Sequence, residues 1–363
     1  MAAVQMMCAR IGMVSGRGLT AAFKTRFPRR FVFIAITALL VANTINVGAD
    51  LAGMADAAEM LTHFSSHVWV IVFAIGIFWA TVRLRYYHIA STLKWLSLVL
   101  FAYVLSAFVI RPDWGTALHD TFVPTLPQGR EAWQMLVAIF GTTISPYLFF
   151  WQATQEVEEE RAAGRNTLGQ RKGATRRELR IRKFDVGVGT FFSNLVMYFI
   201  ILTTAFTLNR AGHTNIETAK DAALALRPLA GELASTLYTV GVVGVGLLAI
   251  PTLTGSAAYA YAEALGWRQG LDKRLKQARS FYGVILASTV AAVIMDFTNI
   301  SPVKALYWTA VINGILAPFL LLAILIVASD GKVMHGQTSS MLGKVVVLIT
   351  TVAMFIAAVM LWF

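Results

Sequence analysis

The chain has 363 residues, of which 57% are hydrophobic and 14% charged, with a net charge of +12 and one cysteine, Cys8. A soluble domain carries about 25% charged residues, so this composition excludes a soluble multidomain enzyme, a disordered chain and a disulfide-stapled fold. It describes a polytopic membrane protein whose excess Lys and Arg belong in its cytoplasmic loops.

A helix needs about 20 mostly apolar residues to cross the hydrocarbon core. The opening MAAVQMMCARIG lacks the basic start and small-residue cleavage site of a signal peptide. It reads as the inner end of a span, at 1–12, whose beginning lies upstream. Further spans follow near 31–62, 66–82, 94–110, 132–152, 188–208, 230–264, 279–297, 304–328 and 342–362. That makes about nine, all helical, because open sheet edges cannot sit in lipid. Residues 1–363 read as one transmembrane domain, with a basic loop at 153–187.

Loop charge sets the orientation. Arg17, Lys24, Arg26, Arg29 and Arg30 precede the first full span, and Arg83, Arg85 and Lys94 follow the second. The 153–187 loop is the most basic, and Arg268, Lys273, Arg274, Lys276 and Arg279 form another cluster. The alternate loops are poor in basic residues or offset them with acids, as with Asp113 and Asp120. The basic side is therefore expected in the cytoplasm and the C-terminus outside, in the cytoplasmic membrane of a bacterium.

The run at 132–152 differs from the others. In Gly141-Thr142-Thr143-Ile144-Ser145-Pro146-Tyr147 a proline stands in mid-span. Pro146 has no N–H and crowds the carbonyl of Thr142. Carbonyls are freed at the midplane, where transporters with discontinuous helices bind their cargo. The competing reading is a plain kink repaired by the neighbouring hydroxyls.

Other polar residues lie within spans. Asp50 is a carboxylate in an apolar run, which is expensive and points to function. It is expected to face the bundle interior. Asp56 and Glu59 read as the solvated outer end of that helix. Pro251 is expected to break a second long span for packing reasons. Asn313 reads as a mid-span amide, either interhelical glue or site-lining. Ser145, Gln152, Glu156 and Glu159 fall along one helical face, which either lines an inner exit or ends in carboxylates paired with Arg161 and Arg165.

These residues resemble the NRAMP family of divalent metal transporters over nearly the full length. GTTISPYLFFWQ resembles the family's sixth-helix signature, INVGADLAGMADAAEML its third helix, and ISPVKALYWTAVINGILAPFLL the run into its tenth. The resemblance implies the inverted-repeat fold of amino-acid transporters, here without the first helix and its Asp-Pro-Gly motif. It implies a metal site at the Thr142 carbonyl and Ser145, lined by Thr143, Pro146, Tyr147 and Asn313, with Asp50 on a proton path. Ser145 replaces the family's methionine, Tyr147 its histidine and Gly53 its glutamate. Hydroxyl and carbonyl oxygens suit Mg²⁺, Ca²⁺ and Mn²⁺ while a thioether prefers softer ions, and the resemblance leaves Mn²⁺, Fe²⁺ or Mg²⁺ as the candidate substrates.

The expected function is divalent metal transport by alternating access. The alternatives are a same-fold carrier of another solute and an inactive remnant. No enzyme is expected, since Ser145 has no histidine on its helix and His63, His67, His88, His119, His213 and His335 all lie near span ends or in loops. The metal is substrate rather than cofactor, the surrounding partner is membrane lipid, and neither nucleic acid nor an obligatory protein partner is expected.

Overall fold

The computed structural model describes residues 1–363 except 85–94, 124, 126–127, 213–215, 217–218, 299–300 and 363. Its regular elements among the described residues are helices. They are α1 (Ala2–Ser15), α2 (Leu19–Phe23), α3 (Arg29–Thr62), α4 (Ser66–Arg83), α5 (Phe101–Ile110), α6 (Trp114–Phe122) and α7 (Arg130–Thr143). They continue with α8 (Pro146–Ala162), α9 (Arg176–Thr204), α10 (Ala234–Leu265), α11 (Arg279–Asp296), α12 (Pro302–Ser329) and α13 (Met341–Val359), with two short unnumbered helices, Ala219–Ala223 and Arg227–Ala230, between α9 and α10.

Eight helical stretches among the described residues are long and apolar enough to cross a membrane. The predicted spans match them except at 94–110. There the chain runs as a 3₁₀ turn, Leu96–Leu100, into the 10-residue α5. Some 15 residues extend only about 22 Å, short of a hydrocarbon core of about 30 Å. The start of that predicted span falls partly outside the described residues.

The long helices hold their shape because their apolar residues run all round, as a membrane solvent requires. Without a hydrophobic drive between helices, assembly depends on close packing at small residues. α3 is the hub, packed on α10, α11, α12 and α4. Val47, Leu51 and Met54 of α3 are fully buried against Val70, Ile250, Leu253 and Ala292. α1 is also largely buried and lies along α8, where a Cβ on Gly12 would collide with the Ala153 carbonyl oxygen.

Pro251 does not break its span. α10 runs unbroken from Ala234 to Leu265, with Pro251 inside it. Thr252 Oγ1 donates to the Leu248 carbonyl at 2.8 Å and Thr254 Oγ1 to the Ile250 carbonyl at 2.8 Å. Neither hydroxyl reaches the Leu247 carbonyl that Pro251 leaves without its helical donor, and the helix continues with Pro251 buried in the packed interior.

Candidate functional site

The break at Pro146 arises from the residues beside it. A residue before proline is pushed away from the helical region, and Ser145 is extended at φ −77°, ψ 130°. Ile144 departs as well, at φ −115°, ψ 59°, and α7 ends at Thr143. Pro146 then occupies the first helical position of α8, where its missing N–H costs nothing. Two half-helices thus meet end to end, the carbonyl end of α7 facing the amide end of α8.

Hydroxyls at the break turn inward onto these carbonyls. Ser145 Oγ, buried, lies 2.7 Å from the Gly141 carbonyl and 2.8 Å from that of Thr142. Thr143 Oγ1 donates to the carbonyls of Ile139 at 2.7 Å and Phe140 at 3.2 Å. One hydroxyl proton shared by two acceptors leaves each carbonyl a lone pair and Ser145 Oγ both of its own. Local repair and a ligand-bearing break are therefore compatible. Thr142 itself is exposed.

The wall beside the break is α12. A Cβ on Gly141 would strike Ala310 and Gly314, and one on Gly314 would strike Val137, so the two backbones touch through these glycines. Next to Gly314, Asn313 is buried and its Oδ1 has no hydrogen-bond partner. That amide is not spent as interhelical glue through its oxygen. Tyr147, half-buried, packs against both the α1 side of the core and the α3 cluster of Val47, Leu51 and Met54.

Asp50 lies on α3, half-buried, and makes no hydrogen bond or ion pair among the described residues. Gly53, one turn on, faces open space. Two turns back, Asn43 is buried and donates to the Leu253 carbonyl at 2.8 Å and to Ser256 Oγ at 2.9 Å. Toward the end of α3, Glu59 accepts from the Ser66 amide at 3.0 Å. Nearby, His67 Nδ1 meets Asp296 Oδ2 at 2.6 Å. Among the described residues no group of three or more His, Cys, Asp or Glu side chains gathers to hold a metal. A cation at the break would depend on carbonyl, hydroxyl and amide oxygens.

At the other end of α8 part of the acidic run finds the expected arginines, and Glu156 and Glu159 find another. Glu158 pairs with Arg161 at 2.5 Å and Glu160 with Arg165 at 3.5 Å. Glu156, whose side chain is only 3% exposed, pairs with Arg182 of α9 at 2.8 Å and accepts from Gln152 at 2.7 Å. The same guanidinium holds Glu159 and Asp185. Arg182 clamps α8 to α9, and nothing in its basic sequence neighbourhood singled it out. A second residue missed from sequence is Glu263. Its carboxylate accepts from the Ala21 amide at 3.1 Å and closes against Gly18, where any Cβ would collide with it. A lone acid in an apolar run was its available signal. The loop between α8 and α9 is tied down by buried Arg171, which donates to the carbonyls of Arg165 at 2.9 Å and Asn166 at 2.7 Å. His63, His67, His119 and His335 lie at helix ends or in turns, and His88 and His213 lie outside the described residues.

Three comparisons bear on this arrangement. The family model described as natural resistance-associated macrophage protein-like matches residues 1–363. A divalent metal cation transporter MntH of Caldanaerobacter subterraneus subsp. tengcongensis is 23% identical, over 99% of this chain and 82% of its own length. MntH of Yersinia pestis is 24% identical, over 95% of this chain and 81% of its own. The crystal structure of an Eremococcus coleocola manganese transporter, in complex with an aromatic bis-isothiourea substituted compound, superposes with a TM-score of 0.74 at 16% identity. It covers 98% of this chain and 76% of that one. At that identity the likeness is one of fold.

Proposed function

The chain belongs to the Nramp family, and from that premise we propose how it handles its cargo. The protein is an integral membrane transporter of divalent metal cations, and it is not an enzyme. The family's inverted-repeat fold is matched along nearly the whole chain, and the discontinuous helix α7–α8 packs against α1, α10 and α12. The Thr142 carbonyl and Ser145 are proposed as cation ligands, with Thr143, Pro146, Tyr147 and Asn313 lining the site. Transport proceeds by alternating access around this break.

The observation that carries this reading is the two-residue gap between α7 and α8, with buried Ser145 in it and the unpartnered Asn313 Oδ1 on the helix beside it. An oxygen-only donor set suits Mn²⁺ or Mg²⁺ and offers little advantage to a soft ion such as Cd²⁺. The basic loops are proposed to face the cytoplasm of a bacterial cell and the end of α13 the outside. Asp50 is assigned to a proton path.

The test is competitive uptake into proteoliposomes. Mn²⁺ uptake should resist Cd²⁺ competition in the wild-type protein, and Ser145→Met should shift preference toward Cd²⁺ by about tenfold, the equivalent of ~1.4 kcal/mol. Wild-type uptake already favouring Cd²⁺, with no change in Ser145→Met, excludes Ser145 from the ligand set.

A further inference from the structure

The first turns of α9 carry two different basic faces. Arg182 is consumed by Glu156, Glu159 and Asp185. Arg180 and Lys183, one turn apart, make no hydrogen bond or ion pair among the described residues and open instead into a separate crevice of about 490 Å³ between α1, α9 and α13. Arg10 of α1 lines the same crevice, fixed by its Nε donating to the Gln337 carbonyl at 3.0 Å, which leaves its two terminal nitrogens free to donate. Among the described residues no acidic side chain lines this space.

Two further features point to an anionic ligand. Ser339 Oγ is buried, lines the crevice and has no hydrogen-bond partner, in a residue 8% exposed. Beside it, Ser340 caps the start of the 19-residue α13, whose first amides carry the positive end of the helix dipole. The other wall is apolar, formed by Met7, Leu179 and Val346, and Leu342 stands 77% exposed at its rim. A small hydrated anion gains nothing from that wall, whereas an acyl chain does.

We propose that this crevice is a binding site for an anionic phospholipid, with its phosphate held by Arg10, Arg180, Lys183 and the Ser339 hydroxyl, and its chain against the α1–α13 wall. Three cations without a facing acid, beside apolar surface at the end of membrane helices, match an anionic headgroup and not a zwitterionic one. This site is separate from the helix break and does not depend on which metal is carried.

Native mass spectrometry of the detergent-purified full chain, titrated with phosphatidylglycerol or phosphatidylcholine, tests the assignment. Phosphatidylglycerol should be retained at least fivefold better than phosphatidylcholine. The double variant Arg180→Gln/Lys183→Gln should lose that preference, and Ser339→Ala should weaken it. A control, Arg176→Gln/Arg177→Gln, removes the same charge two turns or less away and should leave it intact. Equal retention of the two lipids overturns the proposal. So does an equal loss in the control, which would mean general surface charge, or displacement of the lipid by millimolar inorganic phosphate, which would mean a simple anion site.

Discussion

Ser145 shows how one side chain serves two demands. Its hydroxyl contacts the carbonyls of Gly141 and Thr142 at 2.7 and 2.8 Å, and so stabilises a break that its own position before Pro146 helped create. Gly141 is equally constrained, because its Cα hydrogen faces the backbone of Ala310 and Gly314. Gly141→Val should therefore destabilise the protein by about 1–3 kcal/mol and displace α7 from α12. A lowered melting temperature in detergent together with lost uptake checks this, and an unchanged melting temperature contradicts the close contact. At Asp50, leaving a carboxylate in the span costs about 2.5–3.5 kcal/mol even on the lenient insertion scale. Asp50→Asn should accordingly express well and yet show reduced Mn²⁺ uptake or a flattened pH dependence. Uptake identical to wild type from acid to alkaline pH removes Asp50 from the mechanism.

Two prolines in long apolar helices behave differently at the scale of the element. Pro146 ends one helix and starts another, while Pro251 is carried inside an unbroken α10. Both were read as breaks from sequence, since the missing N–H is the same in each. The difference lies in the neighbours: Ser145 turns extended, whereas Thr252 and Thr254 keep their hydroxyls on the preceding turn of a continuous helix. Pro146→Ala should let α7 and α8 join and reduce transport more than tenfold, while Pro251→Ala should leave transport within about twofold. Equal losses in both variants would show that the gap has no special role. The clamp between α8 and α9 offers a contrast in magnitude. Arg182→Ala leaves Glu156 buried without its partner and should cost on the order of 3 kcal/mol. Glu159→Gln removes a partner that is 61% exposed and should cost less than about 1 kcal/mol. Thermal unfolding of the two variants side by side decides whether the buried half of the clamp dominates.

At the scale of the whole molecule, alternation of basic and poor loops sets a directional expectation that labelling can check. Cys8 is fully buried, so the native chain gives a silent background for a membrane-impermeant maleimide. Asp120→Cys should react in intact cells, and Lys276→Cys only after the membrane is opened, since both positions are exposed and fall in loops of opposite charge character. The reverse pattern inverts the topology.

Eight of the nine full spans, the helical class and the break at Pro146 were legible in the sequence because each follows from local rules: the thickness of a bilayer, the obligation to satisfy backbone groups in lipid, and the geometry of proline. The resemblance of GTTISPYLFFWQ to a sixth-helix signature carried the family. What local rules do not contain was decided in three dimensions. The role of Arg182 depended on which glutamates α8 would turn toward α9, and Glu263 acquired its partner only when α2 folded against the end of α10. The unpartnered oxygen of Asn313 and the acid-free crevice beside Arg180 and Lys183 are likewise facts about neighbours. Charge and hydrogen-bond partners more than 20 residues apart are chosen by helix packing, and in a membrane that packing follows shape and small residues rather than any pattern of polarity along the chain.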